Sequence, residues 1–161
     1  MNAIVVIGGS GGIGSEVVAG YAKRGHQVII GDRDKKGAEK LITSYPENVK
    51  YIPLDVLDSG SRSIFYGELT RTGISIQHFI SLAGGAPGEF SGLQATTTET
   101  ITQSINLNLT SHIHLVKESL KCFAASEDRS ITLVSSINAL RDYGLPAYSS
   151  AKAGLLGFVY A

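Results

Sequence analysis

Five short apolar runs, separated by segments with helical character, constrain the fold of this chain more than any other feature. The runs are rich in β-branched residues and nearly continuous in hydrophobicity, as in strands buried on both faces; they span residues 3–7, 27–31, 49–54, 76–82 and 130–135. Helices are predicted at residues 13–24, 34–44, 58–72, 96–125 and 147–161. Because a helix lies between each strand and the next, the strands should be parallel. We expect an α/β fold, a doubly wound parallel sheet with helices on both faces, in one domain over residues 1–161.

The charge balance and the apolar segments limit the partners and the cellular setting. Lys and Arg together number 14, as do Asp and Glu, so there is no basic surplus to attract nucleic acid or an anionic membrane. The single cysteine, Cys122, cannot form an intramolecular disulfide. The apolar run at the start is too short for a signal peptide, and no run approaches the ~20 residues of a membrane helix. We therefore expect a cytoplasmic protein.

The stretch "IVVIGGSGGIGSEVV" predicts a strand, a glycine turn and a helix. Such a turn places free backbone N–H groups at a helix N-terminus, where they can bind a phosphate, and a Cβ would block the approach of a pyrophosphate. The glycines fit three dinucleotide-binding templates: Gly9-Gly11-Gly14, Gly8-Gly11-Gly14 and Gly8-Gly12-Gly14. The alternative is a flexible glycine turn without a ligand, but its position directly after the first strand favours a phosphate site.

Asp32 follows the second strand, 18 residues after Gly14. A carboxylate near this spacing accepts hydrogen bonds from an adenosine ribose and repels a 2′-phosphate, which favours NAD over NADP. Arg33 and the pair Lys35-Lys36 could instead accept that phosphate, so NADP stays possible. An ordinary helix N-cap at Asp32 or Asp34 is the alternative interpretation.

Tyr148 and Lys152 are four residues apart in a predicted helix and so share one face. An ammonium about 4 Å from a phenolate stabilises it by about 4 kcal/mol at an effective dielectric of about 20. Lys152 could therefore allow Tyr148 to exchange a proton near neutral pH. Taken alone, the pair is more typical of a surface pair on an amphipathic helix.

Ser135 and Ser136 end the fifth predicted strand, at the edge where open α/β sheets bind ligands. A hydroxyl there could hydrogen-bond a substrate carbonyl and the tyrosine oxygen. Strand-ending serines are also common turn formers, which is the alternative.

Five segments, in order along the chain, resemble motifs of the short-chain dehydrogenase/reductase family. "VIGGSGGIG" is similar to its cofactor loop, with Ile7 where a threonine is usual, and "YSSAK" is similar to its Tyr-x-x-x-Lys element. Between them, "LDV" (54–56), "NLTS" (108–111) and "VSS" (134–136) resemble its adenine, asparagine and serine motifs. The 12 residues from Ser136 to Tyr148 favour the compact oxidoreductase branch over the extended sugar-nucleotide epimerases.

The resemblance implies a Rossmann-like domain and an NAD(P)-dependent oxidoreductase that interconverts an alcohol and a ketone. It implies that Tyr148 is the general acid/base and that Lys152, which lowers the pKa of the tyrosine, also holds the nicotinamide ribose. It implies that Ser136, rather than Ser135, positions the substrate carbonyl. Asn108 would support a water path to Lys152. The implied cofactor-binding residues are Gly8, Ser10, Gly12, Ile13, Gly14, Asp32, Arg33, Asp55, Val56, Ala83, Gly84, Tyr148 and Lys152. It further implies a small-molecule substrate and a homo-oligomeric full-length protein.

Two departures from the family pattern are evident. The Asn-Asn-Ala-Gly that follows the fourth strand in the family is here Ser81-Leu82-Ala83-Gly84, so the Ala-Gly half is kept and the paired asparagines, which support the central sheet, are replaced. Family members also continue beyond the Tyr-x-x-x-Lys helix with another strand, a Pro-Gly turn, a substrate lid and a final strand. We therefore expect a fragment that lacks the last strands, and a non-catalytic dinucleotide-binding module is the alternative function.

Four histidines suggest no metal site. His112 and His114 are two apart, so on a helix they do not face one another, and His26 and His78 have no partner nearby in sequence. Cys122 is expected in or near the core. No metal is therefore expected.

Overall fold

The computed structural model describes residues 1–86, 92–141 and 144–161 of the chain. The strands are β1 (Asn2–Ile7), β2 (Val28–Asp32), β3 (Val49–Pro53), β4 (Ser75–Ser81) and β5 (Ser130–Leu133). The α-helices are α1 (Gly12–Lys23), α2 (Lys35–Ser44), α3 (Ser59–Arg71), α4 (Thr98–Ile105), α5 (Ser111–Ser119) and α6 (Pro146–Tyr160). All five predicted strands are present, and so are the helices predicted at residues 13–24, 34–44, 58–72 and 147–161, with ends that differ by a few residues.

The five strands form one sheet in the order β3-β2-β1-β4-β5. The pairs β1–β2, β1–β4 and β2–β3 are parallel, and Ile7 at the end of β1 lies between Gly31 and Ser81. The chain moves outward from β1 to β3 and then returns to β4 on the other side. This order is that of a doubly wound sheet, which confirms the predicted fold, and it places the end of β1 where the winding direction changes.

Residues 1–82 and 115–132 form one unit, which contains most of the sheet. Successive side chains of a strand point to opposite faces, and in β1 both alternating sets are apolar and buried. One set packs with α1 and α2 in a core of Ile4, Val6, Val18, Ala22, Val28, Ile30, Ala38, Val49 and Ile80. Burial on both faces explains why the inner strands are continuous apolar runs rather than alternating ones.

The outermost strand, β5, departs from that description. Its first three residues are exposed, and Ile131 retains 39% of its accessible surface. The strand is at the edge of the sheet order, so it has fewer neighbours to cover it than β1 has. Apolar composition predicted the strand but not its burial.

Residues 83–114 and 133–161 form the second unit, which contains α4 and α6. Pro146 occupies the first turn of α6, where its missing N–H costs nothing. A Cβ on Gly154 would come within 2.8 Å of the Leu109 side chain, so a glycine allows α6 to lie close to the segment around Leu109.

The single helix predicted over residues 96–125 is divided in the structure. Asn106–Thr110, between α4 and α5, is a π-helical segment, and Leu93–Ala95 and Leu120–Cys122 are short 3₁₀ turns. Asn108 Nδ2 donates to the carbonyl of Ser104 at 2.9 Å, so a side chain competes there with the regular main-chain hydrogen bond. The Gly/Thr-rich sequence of residues 84–98 predicts a loop, and residues 87–91 of it lie outside the described residues.

Candidate functional site

The glycine turn that joins β1 to α1 is tightly packed on one side and open on the other. Gly8 has a φ of +77°, a conformation that favours glycine. A Cβ on Gly14 would overlap the carbonyl oxygen of Gly8 and lie 2.8 Å from Gly9 Cα, whereas a Cβ on Gly12 would meet nothing within 4 Å. Gly14 is common to the three templates in the sequence, and the middle glycine distinguishes Gly8-Gly12-Gly14 from the other two: a Cβ on Gly11 would be in ordinary contact with the Gly8 carbonyl at 3.5 Å, whereas Gly12 is beside open space.

The N-terminus of α1 fits an anionic group such as the pyrophosphate of a dinucleotide. Its N-cap is Gly11, and no side chain caps the helix. Ser10 Oγ is buried and has no hydrogen-bond partner among the described residues. Uncapped N–H groups, an unpartnered hydroxyl and the space beside Gly12 together form a cradle for phosphate oxygens. Ile13, also predicted to bind the cofactor, is 67% exposed at the same helix end.

Asp32, at the end of β2, connects to the glycine turn. The N–H of Ser10 donates to Asp32 Oδ2 at 2.9 Å, and the N–H of Asp34 donates to Oδ1 at 3.1 Å. The cap of α2 is Asp34, whose Oδ1 accepts from the N–H of Gly37 at 3.1 Å. The N-cap alternative therefore applies to Asp34, and Asp32 keeps acceptor capacity on both oxygens for a ribose.

The predicted adenine-binding residues lie beside a cation in the same unit. Arg33 Nη1 is 3.8 Å from Asp55 Oδ2, and the two side chains are 72% and 39% exposed. Val56, the next residue, is buried, and its carbonyl accepts a hydrogen bond from Arg62 Nη1 at 2.8 Å. An exposed pair at this distance contributes at most about 1 kcal/mol, so Arg33 is weakly held.

In the second unit, Lys152 of α6 is buried, with 4% of its surface exposed. Its ammonium donates to the carbonyl of Val134 at 2.9 Å and lies 5.8 Å from the centroid of the Tyr148 ring. Burial lowers the pKa of Lys152 below its usual value of 10.5. The cation thus lies beside the tyrosine, as the spacing of four residues predicts.

Asn108 and the Ala83-Gly84 segment lie next to that ammonium. Asn108 Oδ1 accepts from the N–H of Gly85 at 3.0 Å, and Asn108 Nδ2 donates to the Gly85 carbonyl at 2.7 Å. A Cβ on Gly84 would lie 2.8 Å from Asn108 Oδ1 and 3.4 Å from Lys152 Nζ. Only a glycine allows this backbone to come so close, which explains why the Ala-Gly half of the motif is present.

The two serines after β5 have different partners. Ser135 Oγ donates to the carbonyl of Lys152 at 2.8 Å, whereas Ser136 Oγ is 3.1 Å from Asn138 Oδ1 and accepts from the N–H of Asn138 at 3.2 Å. Ser135 therefore attaches α6, and Ser136 begins a short 3₁₀ turn, Ile137–Ala139. The structure brings Asn108, Tyr148 and Lys152 together, and the substrate-positioning role of Ser136 stays a prediction.

His112, set aside in the sequence as a poor metal ligand, belongs to this cluster. It is fully buried, and its Nε2 lies 2.9 Å from the carbonyl oxygen of Ala83. Burial lowers the pKa of His112, and the charge of Lys152 acts in the same direction, so that the pKa is about 4. The hydrogen bond to Ala83 has the opposite, smaller effect on this pKa. The sequence signal was its position four residues after Asn108, on the same helical face.

No group of three His, Cys, Asp or Glu side chains able to hold a metal ion occurs in the described ranges. Among these residues, no helix combines the length and apolar character needed to cross a bilayer. The cytoplasmic location remains a prediction from the sequence. Cys122, expected in or near the core, is half-buried.

Comparison with known families and proteins gives one consistent result. The sequence model of the family described as short chain dehydrogenase matches residues 2–161. Carbonyl reductase family member 4 from Danio rerio is 25% identical over 155 residues, which are 96% of this chain and 65% of that protein. A 3-oxoacyl-(acyl-carrier-protein) reductase from Escherichia coli is 27% identical over 155 residues, with 96% and 63% covered.

Solved structures agree. The crystal structure of an oxidoreductase of the short chain dehydrogenase/reductase family from Burkholderia thailandensis superposes with a TM-score of 0.84 and 27% identity, over 98% of this chain and 60% of that one. This chain spans less than two thirds of the length of these relatives.

Proposed function

This chain belongs to the short-chain dehydrogenase family, and we propose that its full-length protein is an NAD(P)-dependent oxidoreductase that interconverts an alcohol and a ketone. The observation that carries the proposal is the buried ammonium of Lys152, 5.8 Å from the centroid of the Tyr148 ring. A cation held in a poorly hydrated site stabilises a neighbouring phenolate more strongly than it would in water.

Tyr148 is proposed to protonate the oxygen of a ketone substrate and to accept the proton of an alcohol. Lys152 stabilises the phenolate of Tyr148 through space. One hydrogen of its ammonium is used by the Val134 carbonyl, which leaves two for a ribose or a water. Ser136 is proposed to orient the substrate carbonyl.

Asn108 is proposed to support a water path to Lys152, as the family resemblance implies. Both hydrogens of its amide are already used, by the carbonyls of Gly85 and Ser104. A water would therefore have to donate to Asn108 Oδ1, which also accepts from the Gly85 N–H and can take a second hydrogen bond.

The residues of the glycine turn fit a dinucleotide. We propose that Gly12, Ile13 and the unpartnered hydroxyl of Ser10 contact the pyrophosphate, and that Asp32 accepts hydrogen bonds from the adenosine ribose. Asp55 and Val56 would lie beside the adenine. When bound, the nicotinamide ring of such a cofactor supplies or takes the hydride.

NAD is the proposed cofactor, because a carboxylate at the ribose repels a 2′-phosphate. NADP is the alternative, since Arg33 is exposed and held only by a 3.8 Å contact with Asp55. A small rearrangement would free Arg33 to accept a phosphate.

Two relatives carry names that indicate carbonyl reduction, a carbonyl reductase and a 3-oxoacyl-(acyl-carrier-protein) reductase. We therefore propose a ketone as the oxidised substrate. A single Rossmann-like domain over residues 1–161 and a homo-oligomeric full-length protein also remain proposals.

The test replaces Tyr148 by phenylalanine in the full-length protein. We expect Tyr148→Phe to abolish turnover of a panel of ketones, followed by NADH absorbance, while NADH binding, followed by cofactor fluorescence, is largely kept. The matched control is Tyr160→Phe, because it makes the same exchange in the same helix, outside the Tyr148–Lys152 pair. Turnover retained in Tyr148→Phe would refute the acid–base assignment.

The same measurements address the alternative function. A wild-type protein that binds NADH but reduces no ketone of the panel would favour a dinucleotide-binding module over an enzyme. A protein that binds no dinucleotide would contradict both.

A further inference from the structure

The backbone of residues 83–85 forms one side of the Asn108–Lys152 pair. Gly84 is in such close contact that an added Cβ would lie 2.8 Å from Asn108 Oδ1 and 3.4 Å from Lys152 Nζ. Any displacement of this backbone away from the pair would open space for water beside the ammonium. The backbone at Gly84 therefore lies against the Lys152 ammonium.

Two side chains, one helical turn apart, fix this backbone segment at both ends. Asn108 pairs with both main-chain groups of Gly85, at 3.0 and 2.7 Å. His112 lies 2.9 Å from the carbonyl oxygen of Ala83, through Nε2. A carbonyl oxygen only accepts, so Nε2 must carry the hydrogen and donate it.

The surroundings of His112 leave little freedom to this contact. The His112 side chain is fully buried, whereas its hydrogen bond to Ala83 is partly buried. If the imidazole were lost, the Ala83 carbonyl would lose this donor, and the backbone would be held less firmly. Ala83, the acceptor, directly follows Ser81 and Leu82, which stand where the family has its paired asparagines.

We propose that His112 is a positioning residue, which fixes the Ala83-Gly84 backbone against Asn108 and Lys152 through its hydrogen bond to the Ala83 carbonyl. It touches no substrate and acts through the backbone that shields the ammonium. The proposal rests on the proposed acid–base function of Tyr148 and Lys152, and it adds a residue that the sequence motifs do not include.

Three substitutions separate the hydrogen bond from the mere presence of a side chain. His112→Gln keeps an N–H donor at about the reach of Nε2, His112→Asn has a donor with a shorter reach, and His112→Leu has none. His114→Leu is the matched control, since His114 is exposed two residues further along the same helix.

The first readout is independent of activity. In His112→Leu and His112→Asn, we expect the Gly85 amide hydrogen to exchange about tenfold faster relative to the amides of β1, because one hydrogen bond fixing the segment is lost. We also expect the Lys152 pKa, followed by NMR of its ε-methylene carbon, to rise toward the ordinary value, because water reaches the amine. His112→Gln and His114→Leu should behave as the wild type does.

The second readout is turnover of a ketone. His112→Leu and His112→Asn should lower kcat by roughly tenfold to a hundredfold with little change in KM, and His112→Gln should restore it. A general loss of stability would accelerate exchange at β1 as well and would not separate glutamine from asparagine. If His112→Leu does not fold, the comparison of glutamine with asparagine decides.

The proposal is overturned if glutamine and asparagine have equal effects, or if His112→Leu leaves both Gly85 exchange and the Lys152 titration unchanged. A wild-type protein without turnover would count against the proposed function only, since exchange and titration are measured without it.

Discussion

The buried histidine makes the chain less stable in acid by an amount that can be worked out. The pKa of His112 is about 4 in the folded protein, against 6.5 for a free side chain. The folded state therefore binds fewer protons than the unfolded state between these two values, so stability falls as the pH drops from 6.5 to 4 and then levels off. At ~1.4 kcal/mol per pH unit, the loss through His112 is about 3 kcal/mol in full and about 2 kcal/mol between pH 7 and 4.5.

A glutamine side chain does not bind a proton in this pH range, so His112→Gln removes the contribution of residue 112 to the pH dependence of stability. We expect wild type to lose about 2 kcal/mol more stability than His112→Gln when the pH is lowered from 7 to 4.5. The measurement is urea denaturation at both pH values, followed by far-ultraviolet circular dichroism because the chain has no tryptophan. Titrating carboxylates affect both proteins alike and cancel in the comparison, and His114→Gln, at an exposed position, should follow the wild type. Parallel losses in wild type and His112→Gln would refute the reasoning.

Two further predictions concern the glycine turn and the ribose. Gly14→Ala should lower the free energy of unfolding by roughly 1–3 kcal/mol, since its Cβ would overlap the Gly8 carbonyl. Gly12→Ala should leave the urea midpoint unchanged and weaken NADH binding in a fluorescence titration; equal stability losses in the two variants would contradict this account of the turn. Asp32→Asn should raise the affinity for NADPH relative to NADH, because the carboxylate that repels a 2′-phosphate is gone while Arg33 remains, and an unchanged ratio of the two dissociation constants would count against Asp32 as the ribose ligand.

The fold could be predicted from the sequence because its determinants are local. Buried strands such as β1 are continuous apolar runs, and Pro146 begins α6 where a proline is tolerated. The burial of β5 could not be predicted in the same way, because it depends on which strands lie next to it. The π-helical segment at Asn108 was missed because its cause, a side-chain bond to the Ser104 carbonyl, is absent from any hydrophobic pattern.

The candidate site could be predicted only for residues that are close together in the sequence and lie in one helix. Tyr148 and Lys152 are neighbours because four residues make about one helical turn. The partner of His112 is Ala83, 29 positions away, and no local pattern predicts such a contact. The division of roles between Ser135 and Ser136 likewise depends on where α6 lies.

Lys152 is attached twice to the residues that directly follow β5. The Lys152 ammonium donates to the Val134 carbonyl, and the main-chain carbonyl of Lys152 accepts from the Ser135 hydroxyl. Two adjacent residues therefore bind the end of the lysine side chain and the backbone that carries it. The first hydrogen bond restricts the motion of the amine on its flexible stem, and a slide of α6 along its axis would break at least one of the two. A conservative exchange to arginine would retain the charge yet lose this fit, since a longer, planar head cannot occupy the space between two fixed anchor points.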